Sequence, residues 1–179
     1  MASKQIRIKS VDELEKYKVL IKETSEKTVS NIQELLLNYN SIGILHQFKF
    51  NQVGYEPIQG YKLNFIEQIN QMFSHIVTLK AVEILLNRYP DKEFILNLGT
   101  QGGYDVLSVD NSIICECFSS TNPISNNKIK NDAEKLMKNT NADMKYIIFY
   151  SAEVNLTTLD NIRKKYPSIT FVQLSNVDL

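Results

Sequence analysis

The chain has no tryptophan, only two cysteines, four prolines and six glycines among its 179 residues, and twenty lysines and arginines cancel twenty aspartates and glutamates. Two cysteines cannot frame a disulfide-stapled fold. Cys115 and Cys117 stand two apart in an apolar run, pointing the same way on an extended backbone but too far apart to bond, so free thiols in a reducing cytoplasm are expected. With so little glycine and proline, collagen, linkers and low-complexity blocks are excluded. No aliphatic or aromatic run exceeds 146–150, and Lys4, Arg7 and Lys9 precede no apolar stretch, so neither a transmembrane helix nor a signal peptide is expected. The zero charge balance by itself argues against a protein that lives on nucleic acid.

What is present is an ordinary globular composition, 43% apolar and 22% charged, at a length that fits one domain. Charge is unevenly placed. Residues 91–116 carry one base (Lys92) and five acids (Asp91, Glu93, Asp105, Asp110 and Glu116), between mildly basic flanks. An acidic centre of that kind suits a cation better than a naked phosphate.

Apolar spacing of three and four predicts one long helix, or two end to end, over 11–39. Residues 40–62, with Gly43, Gly54, Pro57 and Gly60 around an alternating piece at 48–53, read as a loop or small hairpin. A second long helix over 63–89 is stopped before Pro90. The period then changes to two: strands at 93–98, 104–109 and 112–118, a glycine turn at 99–103, a helix capped by Ser125 and running to about 138, a strand at 145–150, a helix at 156–166 and a last strand at 169–174. The order from residue 63 is αβββαβαβ, an α/β fold with a mixed sheet, and residues 1–62 form a helix and loop appendage to a 63–179 core in a single domain 1–179.

Chemistry enters at the hairpin. If Asp110-Asn111 is a two-residue connection, Val109 pairs with Ser112 and Asp105 lies opposite Glu116. Carboxylates facing each other across an antiparallel pair repel unless something positive sits between them, and a hard cation with oxygen ligands is the natural occupant. The other reading is a register slipped by one, or a pair splayed into water. Glu116 lies in SIICECF among apolar and thiol neighbours, where an unpaired carboxylate is expensive, and this favours a site. The GTQGG turn lacks the Lys-Ser/Thr of a phosphate loop, and His46 and His75 have no partner at zinc-ligand spacing.

The succession of long helix, strand, glycine turn, Tyr104-Asp105, a hairpin, Glu116-Cys117-Phe118 and a helix resembles the PD-(D/E)xK nuclease superfamily over residues 63–150. The resemblance implies a restriction endonuclease-like αβββαβ core in which Asp105 and Glu116 hold Mg²⁺. It departs from the family at Tyr104, where proline is common, and at Phe118, where the water-positioning lysine belongs. Some members take that lysine from the following helix. Lys128, in its first turn, is the candidate here and Lys130 the second, the alternative for each being a solvated surface charge. The family often adds a helix glutamate, for which Glu67 stands near the right helix end; its alternative is an exposed glutamate favoured by the helix dipole.

Together these features lead us to expect a Mg²⁺-dependent, cytoplasmic endonuclease of type II restriction character, a homodimer cutting double-stranded DNA, and the resemblance implies 5′-phosphate and 3′-hydroxyl products. Gln47, Lys49 and Gln52, with Lys130, are the expected substrate-binding groups. The rival expectation is a catalytically inactive module of the same fold that binds nucleic acid or acts as a scaffold. RNA in place of DNA is not distinguished by sequence.

Overall fold

The structure, a computed structural model, describes residues 5–99, 102–123 and 127–179. Along the chain run β1 (Gln5–Ile8), a 3-10 turn (Val11–Leu14), α1 (Glu15–Asn38), α2 (Ser41–Phe50), β2 (Gly54–Tyr55), β3 (Lys62–Leu63), α3 (Phe65–Arg88), β4 (Phe94–Asn97), β5 (Val106–Ser108), β6 (Ile113–Ser120), α4 (Lys128–Met137), β7 (Met144–Ser151), α5 (Leu156–Lys165) and β8 (Ile169–Gln173). They fall into two compact units: residues 5–12 with Val77–Asp178, and Glu13–Ile76. The division lies within α3, and the N-terminal strand belongs with the sheet.

In the first unit a six-stranded sheet runs β1-β4-β5-β6-β7-β8. Neighbours are antiparallel from β1 to β6 and parallel from β6 to β8. The change of direction follows from the connections: a short turn joins β5 and β6, whereas α4 and α5 carry the chain back between β6, β7 and β8. The fold is therefore mixed α/β, with the element order αβββαβαβ from α3 that the sequence pattern predicts. Buried Ile129, Ala133 and Leu136 of α4 and Leu159 of α5 join Ile114, Phe118, Ile147 and Phe149 in one core cluster on one face of the sheet. Within it Phe118 and Phe149 stack with ring centroids 5.2 Å apart. On the other face Arg88 Nη1 donates to the Tyr146 hydroxyl at 3.1 Å, and the Tyr89 and Tyr146 hydroxyls are 2.7 Å apart.

The hairpin keeps the expected register by a different turn. Val106 faces Cys115 and Leu107 faces Ile114. The turn is closed by the Asn111 N–H donating to the Ser108 carbonyl at 2.8 Å, and of the two expected loop residues only Asn111, with φ 62°, is left-handed. Val109 does not pair with Ser112; its N–H donates to the Glu93 carbonyl at 2.9 Å. Asp110 secures the turn instead, its Oδ1 accepting from the Ser112 N–H at 3.1 Å and the Ser108 hydroxyl at 2.7 Å. Its other oxygen pairs with Lys92. The helix cap expected at Ser125 lies outside the described residues.

In the second unit, the loop or hairpin expected over 40–62 is corrected. Residues 41–50 are helical, started by Asn40, whose side chain accepts from the Gly43 N–H at 2.8 Å. Only Gly54–Tyr55 and Lys62–Leu63 pair as strands. Buried Gln68 holds this ladder in place, its Oε1 accepting from the Thr28 hydroxyl at 2.6 Å and the Tyr55 N–H at 3.0 Å. A Cβ on Gly54 would collide with that oxygen, so a side chain there would push Gln68 out of these hydrogen bonds. His75 is a buried core residue, with Nε2 at 3.3 Å from buried Glu56.

Candidate functional site

Glu116 lies in the middle of β6, on the face that carries Ile114 and Phe118, and is 2% exposed. Asp105 immediately precedes β5, and extending the Val106–Cys115 register by one pair sets it opposite Glu116. Both ends of Asp105 are held. Its carbonyl accepts from the Asn97 N–H at 2.8 Å, and its Oδ2 accepts from the Cys117 N–H at 2.7 Å. The carboxylate thus takes a hydrogen bond from the strand that bears the second acid.

Helix α4 brings three further charges to the same face. Lys128, Asp132 and Lys135 follow one another at spacings of four and three, one row along the helix. Lys128 Nζ is 2.8 Å from Asp132 Oδ1 and 5.8 Å from the centroid of the Phe118 ring, so its ammonium sits over that ring. Lys135 Nζ is 2.6 Å from Glu116 Oε1, donates to the Gly103 carbonyl, and lies over the Tyr104 ring at 5.4 Å. The Lys135–Glu116 contact is an ion pair without hydrogen-bond direction, since Glu116 Oε1 has no hydrogen-bond donor. Asp132 Oδ2 is in the same condition, and Asp132 is 4% exposed.

A buried carboxylate beside a second acid has a raised proton affinity. Burial first, and then the charge of Asp105, push the Glu116 carboxyl up to about 7 against the pull of Lys135. Burial also raises Asp105, against the Cys117 N–H, Lys128 and Lys135, and raises Asp132 against Lys128. Burial works against the Lys128 ammonium, yet its bond to Asp132 and the charges of Asp132, Asp105 and Glu116 hold its pKa above the ordinary lysine value. The unit is a compact set of three acids and two bases in which each lysine is fixed by an acid.

The structure thus brings Asp105, Glu116 and Lys128 into one electrostatic neighbourhood and adds Asp132 and Lys135. Their signal was the 128/132/135 spacing, which places Lys135 two turns along on the row of Lys128. Lys130 lies off that row, with Nζ 3.8 Å from Glu134. Glu67, Gln47, Lys49 and Gln52 belong to the helical unit. Glu67 is an exposed first-turn glutamate whose N–H is capped by Asn64 Oδ1 at 2.9 Å. Gln47 accepts from the Asn51 side chain, and Lys49 lies over the Phe50 ring at 5.6 Å.

Among the described residues no group of three or more His, Cys, Asp or Glu side chains is placed to hold a metal ion. Two carboxylates remain, which is what Mg²⁺ asks of a protein when waters and substrate oxygens complete its shell. Glu116 Oε1, buried and met by a cation rather than by a backbone or hydroxyl donor, fits that use. The cysteines are free, with sulfurs 3.7 Å apart, and alternate to the opposite side of β6. No helix among the described residues is long and apolar enough to cross a membrane. Compared with protein-family models, curated proteins and solved structures, the chain matches none.

Proposed function

We propose that the chain is a Mg²⁺-dependent endonuclease of type II restriction character, with a restriction endonuclease-like αβββαβ core from α3 to β7, that hydrolyses phosphodiester bonds of double-stranded DNA in the cytoplasm. The observation that carries this reading is the pairing of Asp105 with Glu116 across the hairpin under a lysine-bearing helix. Asp105 and Glu116 would hold the metal, which when bound supplies an acidified water and neutralises charge developing on the phosphate. The Cys117 N–H fixes the orientation of Asp105 before any substrate arrives. Lys128, anchored by Asp132 and positioned over Phe118, would orient the attacking water and stabilise it as it loses its proton. One chain supplies one such centre, so cutting both strands at one place calls for a homodimer.

A second reading, a non-catalytic nucleic-acid-binding or scaffold module, draws on Phe118, which fills the lysine position with a core side chain stacked on Phe149. Nicking of supercoiled plasmid separates the two. Mg²⁺-dependent nicking abolished by Asp105→Ala supports the endonuclease. No nicking with Mg²⁺ or Mn²⁺ across many DNA substrates supports the module.

A further inference from the structure

Lys135 does more than balance charge at the candidate site. Its ammonium lies 2.6 Å from Glu116 Oε1 and donates to the Gly103 carbonyl, with the Tyr104 ring beneath it at 5.4 Å. A carboxylate and a backbone carbonyl converging on one positive centre are the hard oxygen donors that Mg²⁺ and Ca²⁺ select. The Gly103 carbonyl is aimed by an unusual backbone: φ is +126°, a conformation that side chains rarely adopt. Crowding is not the reason for glycine, because the nearest heavy atom to an added Cβ is Asn97 Nδ2 at 3.8 Å. Glycine serves the direction of the peptide.

We propose that the Lys135 ammonium stands where a divalent cation binds, that the Gly103 carbonyl is a third oxygen ligand beside Asp105 and Glu116, and that the site loads only when Lys135 swings out. The inference rests on the metal-site reading above. Charge arithmetic requires the displacement. With all three acids ionised, as a bound metal requires, Asp105, Glu116 and Asp132 carry three negatives against the two positives of Lys128 and Lys135; a divalent ion added to that set leaves a surplus positive charge, with an ammonium in its inner shell. Lys128 is not the one displaced, because its ammonium is bonded to Asp132, which is not among the proposed ligands, whereas Lys135 sits on Glu116 and the Gly103 carbonyl, which are. Lys135 has the means. Its side chain is 42% exposed at the far end of α4, and a four-carbon stem lets the ammonium turn into water.

The test is metal affinity rather than cleavage. Mn²⁺ binding to the full chain is followed by electron paramagnetic resonance of the free ion, for the wild type, Lys135→Met, Lys135→Met with Gly103→Ala, and Asp105→Ala. The inference expects Lys135→Met to bind Mn²⁺ at least tenfold more tightly than the wild type, and Gly103→Ala to remove most of that gain. Equal or weaker binding by Lys135→Met, with Asp105→Ala still abolishing it, overturns the inference and leaves the two-carboxylate metal site standing. Absence of binding in every protein overturns both. Should Lys135→Met fail to fold, the wild type decides: a protected Lys135 ammonium signal by NMR that vanishes on Mg²⁺ saturation supports displacement, and one that persists beside bound Mg²⁺ overturns it.

Discussion

The Cys117 N–H donates to Asp105 Oδ2 at 2.7 Å, so the strand that carries Glu116 also grips the acid set opposite it. A hairpin that pins a buried carboxylate against a half-buried one sacrifices stability to hold them, as functional sites commonly do. Glu116→Gln should therefore stabilise the metal-free protein at pH 8, by about 1–3 kcal/mol, or about 2–4 °C in Tm per kcal/mol for a chain of this size. Scanning calorimetry in chelator checks it; a lowered Tm would mean that the Lys135 pair outweighs the repulsion.

A pH dependence follows from the same acid. The Glu116 carboxyl is pushed from 4.5 up to about 7, chiefly by burial and then by Asp105. A raised carboxyl pKa means that folding takes up a proton, so metal-free stability is highest below the ordinary value and is lost as pH rises through the folded value. Tm should fall between about pH 4.5 and 7, and Mg²⁺ should offset the loss at the upper end. Glu93 and Asp110 act oppositely: lysine or arginine partners depress both, so what they contribute is lost only below the ordinary carboxylate range. The check is the Tm difference between wild type and Glu116→Gln at pH 5 and pH 7.5; an unchanged difference contradicts the assignment.

For the lysines, Lys128→Ala should lower kcat by about 10²–10⁴-fold with DNA affinity nearly intact, because the role is confined to the transition state. Lys138→Ala, past the end of α4, should leave both nearly unchanged. Single-turnover cleavage beside a binding isotherm separates the effects. Equal losses from the two variants, or an affinity loss that tracks salt, would make Lys128 a phosphate contact.

The α2 helix poses a choice that exposure sharpens. Ile42, Leu45 and Phe50 are 80%, 67% and 65% exposed, beside Lys49 and near Gln47 and Gln52. With no net charge to draw phosphate, metal-free DNA binding should be weak, with an affinity that falls as salt rises by about 0.9 log units per contact per log unit of salt. Replacing Gln47, Lys49 and Gln52 together by Ala should abolish cleavage with the molecular mass in solution unchanged. A drop from dimer to monomer by light scattering, or unaltered cutting, would assign this helix to another role.

The parts of the fold and site that could be read from sequence were those fixed by local chemistry. The switch from helical to alternating spacing after Pro90 marks where the sheet begins, and the hairpin around Asp110-Asn111 fixes which residues face each other even though the turn differs from the one expected. β1 was missed because Ile6 and Ile8 alternate with Arg7 and Lys9 over only four residues, too short a signal beside so many charges. α2 was missed because its glycine and its mixed apolar spacing hid a cap that Asn40 supplies. Lys135 was missed because reach was granted only to the first turn of α4; the distance from that helix to β6 is set by how Ile129, Ala133 and Leu136 pack on Ile114 and Phe118, which spacing alone does not carry.

The most direct test of a cation site at Asp105 and Glu116 is a crystal soaked in millimolar Mn²⁺ and measured at the manganese edge. An anomalous peak shared by the two carboxylates is the predicted result. Its absence in the wild type and in Lys135→Met alike, with the site open to solvent in the crystal, would contradict the account.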